Sequence, residues 1–516
     1  MRDIVATIQP EQDVIVRADV SRTIAVQGAP GTGKTAVGLH RAAYLLYAHR
    51  DQLRRQGVLV VGPNDSFLRY IQDVLPALGE IEAAQSTIEA LVAKTLAQRN
   101  PRWTIRGTDR SDVATLKGDP RLAEVLARAV WSHVGTPREG LVLPRGAWRF
   151  RVATYEVDQV LADLRTRGVR YGAARAMLPQ ALAHRILVRM ELDGDSPDDR
   201  VQAAVARSKP VKDYAAGLWP AVDPARLVHR LLSDPAQLAA AAEDLLTDDE
   251  QSLLLWDRPK APPGTTAWSL ADAVLLDEAA DLVERTPSLG HIVVDEAQDL
   301  SPMMLRAIGR RSATGSLTIL GDLAQATTPW ATRSWPEALG HLGKSGAHVE
   351  ELTRGFRVPG EVIEYAARLL PHIAPDLAPP TSVRRSRGEL RVDTGGTLVD
   401  TVREALDREG SVGLILPDRL LDDVVAQVAE FPHAVLGRDV PDEPLGTEFD
   451  IRLDIVPASL AKGLEFDHVV LLEPDAIVTG EPDRVTGLRR LYVCLTRAVT
   501  SLVVVHTDPL PAELAP

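Results

Sequence analysis

The stretch Gly28-Ala29-Pro30-Gly31-Thr32-Gly33-Lys34-Thr35 constrains what this chain can fold into more than any other segment. It follows the β-branched run Thr23–Gln27 (TIAVQ) and opens a helical pattern that runs from Lys34 to Arg50. Glycine-rich backbone can approach a phosphate closely and aim its N–H groups at it, and the N-terminus of the next helix favours anionic charge. In that arrangement Gly28, Gly31 and Gly33 form a cradle and Lys34 reaches the β- and γ-phosphates as a mobile point charge. Thr35 offers its hydroxyl to Mg2+. A strand, a glycine loop and a helix in this order imply a parallel sheet with its ligand at the carboxyl ends of the strands.

The rest of the chain supplies the strands that such a sheet needs. Short apolar runs recur at Gly57–Val61, His291–Val294, Ser316–Leu320, His348–Leu352, Val412–Leu416, Leu453–Val456, His468–Leu472 and Ser501–His506. Runs of this length fit strands buried on both faces, and the helical patterns between them, such as Met303–Arg311, imply βαβ units. Two runs end in polar residues suited to phosphate chemistry. After His291–Val294 come Asp295 and Glu296. Asp295 is placed to hold Mg2+, and Glu296 to orient and deprotonate an attacking water; a helix-capping acidic pair is the plainer alternative. After Ser316–Leu320 come Gly321, Asp322 and Gln325. A neutral Gln325 can sense a γ-phosphate or a water through hydrogen bonds, or merely cap a loop.

Between about residues 86 and 264 the rhythm changes, with almost no strand signal and helical spacing throughout. This reads as a helical insertion, so the expected domains are 1–85 and 265–345 for a first α/β domain, 86–264 for the insertion, and 346–516 for a second α/β domain. Joints rich in Pro and Gly are expected at Lys260–Thr265, Ala378–Pro380 and Pro441–Gly446. The charge of the insertion differs from its surroundings. Residues 101–190, Arg102 included, carry 16 Lys/Arg against 8 Asp/Glu, a net +8 in a chain whose total is −13. Trp103, Trp131, Trp148, Phe150, Tyr155 and Tyr171 are interleaved with those cations. Such interleaving suits a nucleic-acid surface. It equally describes helical core aromatics beneath a solvated charged face.

The 516 residues suggest about three domains on the usual domain-size prior. Hydrophobic residues at 45% and charged residues at 25% describe an ordinary globular chain and exclude overall disorder or a collagen-like fold. The one cysteine, Cys494, excludes an intramolecular disulfide and fits a reducing compartment. No apolar run approaches a membrane span, and the start MRDIVATIQPEQD lacks a secretory apolar core, so a cytoplasmic chain with no membrane partner is expected.

In order, these motifs resemble superfamily 1 helicases of the UvrD/Rep type. The resemblance spans residues 7–80 and 286–506 and implies two RecA-like parallel-sheet domains of the P-loop NTPase class, with the helical insertion in the first. Ile8-Gln9-Pro10-Glu11-Gln12 is similar to the family's Q motif, which implies that Gln12 reads the adenine edge. The segment from Leu352 to Arg357 resembles the fourth motif. Gly355 and Phe356 stand where Asn and Tyr are usual, and Arg357 is implied to contact the γ-phosphate. Ala461–Asp467 is similar to the fifth motif, with Gly463 near phosphate and Glu465 near the ribose; Ser459 stands where His is common. Leu491–Ala498 looks like the sixth motif and makes Arg497 the implied arginine finger. Trp330 resembles a base-stacking tryptophan of the family, with Thr328 and Ala331 in place of its usual aromatic and Arg neighbours; Gly62, Pro63 and Asn64 offer a strand further backbone contacts.

Within the superfamily the resemblance is nearest to the actinobacterial HelD factors. It is carried by VQGAPGTGKTAVGLHRAAYLLY, VLVVGPNDSFLRYIQDVLPALGE, VVDEAQDLSPMMLRAIGRRS and LGDLAQATTPW. That resemblance implies RNA polymerase as a partner, ATP and Mg2+ as cofactors, and ATP-driven remodelling of polymerase–nucleic acid complexes by a monomer. HelD factors carry an N-terminal coiled-coil region, whereas here the nucleotide motifs begin by residue 9. About 100 residues separate Arg357 from the fifth motif, an interval in which UvrD-type helicases place a large extra subdomain. Two alternatives stay open: a 3′–5′ DNA helicase or translocase on single-stranded DNA or RNA, and a non-catalytic module that binds ATP as a structural ligand.

Overall fold

In the computed structural model the described residues are 8–65, 67–69, 71–72, 83–101, 103–146, 148–256, 266–384, 389–437 and 451–515. Arg102 and the expected joints Lys260–Thr265 and Pro441–Gly446 lie outside them. Two compact units are formed, one of Met1–Thr87, Leu289–Ser301 and Ser312–Pro516, the other of Ile88–Ser288 and Pro302–Arg311.

The first unit holds two six-stranded sheets, each parallel throughout. One runs in the order His348–Leu352, Ile24–Gly28, Ser316–Gly321, His291–Val294, Val58–Gly62, Ala84–Thr87. The other runs Glu389–Thr394, Ala498–His506, Phe466–Leu472, Val412–Leu416, Leu453–Pro457, His433–Val435. Helices connect the parallel strands, which makes both sheets RecA-like. The strand His348–Leu352 pairs with Ile24–Gly28, so residues just beyond 345 complete the first sheet.

Period-two alternation explains how the strands are buried on both faces. In Phe466–Leu472, Val469 and Leu471 pack on the face covered by the helices Gly360–Ala367 and Arg484–Leu495. Their neighbours Val470 and Leu472 pack on the opposite face with Leu398–Leu406 and Leu421–Gln427. Each such side chain contributes about 1.5–3 kcal/mol when fully buried.

The helix after the phosphate loop, Lys34–Ala48, is set against the first sheet by Val37, Leu39 and Ala42, which meet Val26, Val293 and Leu320. Gly38 permits the close approach, because a Cβ there would run into Leu320. The same helix holds the segment that carries Gln12. Arg41 is fully buried and donates to the carbonyls of Ile15 (2.9 Å), Ala18 (2.6 Å) and Asp19 (3.1 Å), and to Thr318 Oγ1 (3.0 Å). Carbonyls at the end of the helix Pro10–Val16 suit a cation there, and burial still lowers the Arg41 pKa to about 10.

The second unit is mainly helical, with its longest helix at Tyr171–Leu192. It corrects one expectation: the stretch is not free of strands. Leu141–Arg145 and Trp148–Val152 form an antiparallel hairpin, and Ile105–Gly107 pairs with Trp268–Ser269. The hairpin alternates with period two, Leu141, Leu143, Phe150 and Val152 inward and Val142, Pro144, Arg149 and Arg151 outward. Its outward positions are mostly charged or proline, which hides the apolar signal that marks a doubly buried strand. Most of the expected interleaved aromatics are core. Tyr171 is buried, Trp131 packs edge-on against Tyr171 and Trp219 (5.6 and 5.8 Å between centroids), and Trp103 meets Trp268 at 6.2 Å. Phe150 is buried as well, whereas Trp148 and Tyr155 are exposed.

Ion pairs consume much of this unit's charge. Lys117, wholly buried, reaches Asp109 (2.8 Å) and Asp272 (2.6 Å). Asp277 binds Arg310 and Arg311, each at 2.6 Å; burial opposes its ionisation, yet the two arginines hold its pKa down to about 2. Among the described residues no helix is long and apolar enough to cross a membrane.

Candidate nucleotide site

The carboxyl ends of three adjacent strands of the first sheet bring the expected residues together. Past Ile24–Gly28 the loop turns on Gly31 and Gly33, at φ +72° and +78°, a region that only glycine enters without strain. Gly28 is equally constrained, since a Cβ there would lie 2.9 Å from Lys34 Cβ and Thr32 Oγ1. Gln12 is buried beside the loop, donating to the Thr32 carbonyl at 3.0 Å and accepting from the Gln9 N–H at 3.0 Å.

Past His291–Val294, Asp295 accepts from the Thr35 hydroxyl at 2.6 Å. These two oxygens, a hydroxyl and a carboxylate, are the hard donors that Mg2+ selects, and the ion normally completes its shell with water and substrate phosphate. Among the described residues no group of three or more His, Cys, Asp or Glu side chains is placed to hold a metal ion. Burial, and then the charge of adjacent Glu296, push the Asp295 carboxyl up to about 6.

Glu296 sits in the left-handed region, φ 50° and ψ 39°. For a residue with a Cβ that conformation costs about 1–2 kcal/mol. Surrounding contacts hold it there. Gln298 Nε2 donates to its carboxylate at 2.6 Å, and the ammonium groups of Lys34 and Lys462 each stand 3.5 Å from it. Burial opposes ionisation of Glu296, but Lys34 and Lys462 keep it well below the usual carboxylate range. Burial likewise works against the Lys34 charge, and Glu296, Asp295 and Asp322 more than reverse that, raising its pKa.

Past Ser316–Gly321, the buried Gln325 donates to Asp322 at 2.8 Å and accepts from Arg497 Nη2 at 3.1 Å. Arg497, only 7% exposed, is oriented by the carbonyls of Val493 (2.8 Å) and Leu464 (3.3 Å), and burial lowers its pKa. Arg357 and Glu465, expected at γ-phosphate and ribose, are paired with each other at 2.7 Å and half-exposed. Arg357 nonetheless lies against the loop: a Cβ on Gly31 would sit 3.2 Å from Arg357 Cβ, and the Phe356 N–H donates to the Gly31 carbonyl at 2.9 Å. Gly463 has φ +82° with open space around its Cα.

Three side chains were not singled out by sequence. Lys462 lies inside the fifth-motif segment, yet its role needs the tertiary structure: it contacts Asp299 and donates to the Gln325 carbonyl at 2.8 Å. Gln298 joins Glu296 to the Asp322 N–H, and Gln27 joins Asp322 to Trp335. Gln27 and Gln298 are polar residues at or just past the ends of buried strands, the one signal that marks them. Gly62 is buried, Pro63 and Asn64 are exposed after Val58–Gly62, and Trp330 is half-buried with its Nε1 donating to the Asp299 carbonyl at 2.8 Å.

Comparison with known proteins bears on this geometry. A family profile described as an AAA domain matches residues 12–329, and one described as a UvrD-like helicase C-terminal domain matches residues 455–505. No curated protein matches. One of the matching solved structures is the C-terminal domain of a possible DNA helicase from Lactobacillus plantarum WCFS1. It is 19% identical and covers 31% of this chain and 92% of that one, at a TM-score of 0.23, which adds no weight to the fold. With the AAA-domain profile spanning more than half the chain and the UvrD-like profile following it, the chain belongs to the AAA-domain family and is of the UvrD/Rep-type, superfamily 1 helicase-like kind.

Proposed function

We propose that this chain is an ATP-hydrolysing, helicase-like motor that, in the manner of HelD, remodels or releases RNA polymerase bound to nucleic acid. The observation that carries the ATPase part is the convergence of Lys34, Thr35, Asp295 and Glu296 with Gln325, Arg497 and Lys462 in one connected set of polar contacts. Phosphoryl transfer needs charge neutralisation more than covalent help, and cations from two sides meet that need. Lys34 and the loop N–H groups would take the phosphates, and Thr35 and Asp295 would hold Mg2+, which supplies further neutralisation of the phosphate charge. Glu296, ionised and held by Gln298, is placed to orient water and accept its proton. Gln325 links that side to Arg497, so phosphate loss can be felt by the second sheet.

The polymerase part rests on the HelD resemblance of the sequence. Its test is co-purification of the chain with RNA polymerase, followed by release of stalled polymerase from template with ATP. Release that needs ATP and fails in Glu296→Gln supports it; no association at all rejects it. The UvrD-like match favours a second reading, a 3′–5′ helicase or single-strand translocase. Strong stimulation of ATP turnover by single-stranded DNA without polymerase would select it.

A further inference from the structure

Arg41 is a wholly buried cation to which, among the described residues, no carboxylate is paired. A guanidinium carries five N–H donors in a planar fork. Here Nη1 donates to the carbonyls of Ile15 (2.9 Å), Val16 (3.3 Å) and Ala18 (2.6 Å), and Nη2 to those of Asp19 (3.1 Å) and Arg22 (3.3 Å). Five carbonyls of one short stretch therefore converge on one side chain. That stretch is the end of the helix Pro10–Val16 and the irregular residues 17–23 that lead into the first strand. An apolar side chain could pack at this position but could not gather these groups.

The polar chain continues from Nε, which donates to Thr318 Oγ1 at 3.0 Å. Thr318 Oγ1 then has its own proton for His291 Nε2 (3.0 Å). Ser316 Oγ gives its proton to the Val20 carbonyl, so it accepts from His291 Nδ1 (2.8 Å). Burial, and then the Arg41 charge, keep His291 neutral, which this direction of donors requires. The circuit thus returns to the same stretch, and residues 15–22 are fastened both from the helix Lys34–Ala48 and from the strand Ser316–Gly321. Gln12 stands one turn before Ile15. Its amide donates one N–H to the Thr32 carbonyl and accepts from the Gln9 N–H, which leaves one N–H and one lone pair unspent. A donor beside an acceptor matches the N7 and N6–H2 edge of adenine, whereas guanine presents two acceptors there.

We propose that Arg41 is a positioning residue for base selection: by holding the end of the Pro10–Val16 helix it sets where the Gln12 amide stands, and so how strongly adenine nucleotides are preferred to guanine nucleotides. Lys34 and Arg41 are seven residues apart, on one face of one helix two turns on, so the phosphate group and the base group are referred to the same rigid element. The inference rests on the proposed nucleotide site with Gln12 at the adenine edge. Its test needs no hydrolysis, and a Gln12 variant makes failure of that reading separately visible.

The experiment combines amide hydrogen exchange of the nucleotide-free full chain with calorimetric titration of ADP and of GDP in the presence of Mg2+. Arg41→Lys keeps the charge and the stem but replaces a rigid fork of five donors by three on one nitrogen. Exchange over residues 10–22 is expected to quicken about tenfold. The preference for ADP over GDP is expected to fall about fivefold, within the worth of one hydrogen bond. Arg41→Met is expected to lose about tenfold; should it fail to fold, Arg41→Lys decides alone. Gln12→Ala is expected to lose the preference by a similar margin, and adding Arg41→Lys to it to lower the preference no further, since both act through one group. Parent-level preference or parent-level exchange in Arg41→Lys overturns the proposal, because an arginine that only stabilises the fold lowers the melting temperature and leaves the ratio alone. Additive losses in the double variant overturn the route through Gln12. Parent-level preference in Gln12→Ala, or a parent that does not prefer ADP, rejects Gln12 as the reader of the base and overturns the inference with it.

Discussion

Two lysines of this chain are embedded among carboxylates and have opposite meanings. Lys117, in the inserted unit, is 0% exposed and sits 2.8 and 2.6 Å from Asp109 and Asp272, with Ser269 bonded to Asp109. Lys34, on the phosphate loop, keeps 13% of its side chain exposed and stands 3.5 Å from Glu296. The first ammonium is satisfied at hydrogen-bond distance and faces nothing new. The second is held by charge at longer range, beside a loop whose glycines leave room for a ligand. Burial and opposite charge alone therefore do not mark a functional site; unspent donors at a strand's carboxyl end do.

That contrast can be challenged by substitution. Arg497→Ala is expected to leave ATP binding near the parent level and to lower turnover by about 10³–10⁵, as arginine fingers do. Phosphate release and nucleotide binding, measured on the same preparation, check it; a change of a few-fold would make Arg497 a packing residue. Lys117→Met is expected to destabilise the fold by about 3–5 kcal/mol, since it removes one side of a buried ion pair while the buried Asp272 carboxylate stays in place. Denaturant unfolding reads this, and a loss below about 1 kcal/mol would end the contrast from its structural side. Lys34→Ala is expected to weaken nucleotide binding about ten- to a hundredfold, the worth of a charged hydrogen bond, with unfolding unchanged. Unfolding of this variant without ATP would instead give Lys34 the role assigned to Lys117.

The smallest effect concerns a buried base outside the site. His291 is fully buried between Ser316 Oγ (2.8 Å) and Thr318 Oγ1 (3.0 Å), and burial lowers its pKa from 6.5 to about 3. The unfolded chain takes up a proton below 6.5 and the folded one does not, so His291 favours the fold above that pH. Its stabilisation is lost as pH falls from 6.5 toward 3, at up to about 1.4 kcal/mol per unit. His291→Gln should make unfolding free energy fall less steeply over that window; an identical slope would remove His291 as a cause.

Much of this was legible in the sequence because the relevant forces are local or leave a periodic trace. Strands His291–Val294 and Val412–Leu416 coincide with their apolar runs, since a strand covered on both faces needs apolar residues at every position; His348–Leu352 also falls where expected, although it is a largely uncovered edge strand carrying Glu350 and Glu351. The edge strands Ala84–Thr87, Glu389–Thr394 and His433–Val435 were missed: partly exposed, they carry polar residues and leave no such run. The hairpin was missed for the same reason, with Arg149 and Arg151 interrupting its apolar half. In the nucleotide site, the loop and the Asp295–Glu296 pair are contiguous and could be read directly. The position of Lys462 beside Glu296 and Asp299 depends on chain folding across some 160 residues, which no spacing encodes.

Phosphate release from Mg2+-ATP by the full chain, compared with Glu296→Gln, tests most directly whether this pocket hydrolyses nucleotide. With Glu296 as the group that orients and deprotonates water, turnover should fall about 10²–10⁴-fold while ATP binding persists. Equal turnover in the two proteins would contradict that role, and with it the reading of this cleft as the site of hydrolysis.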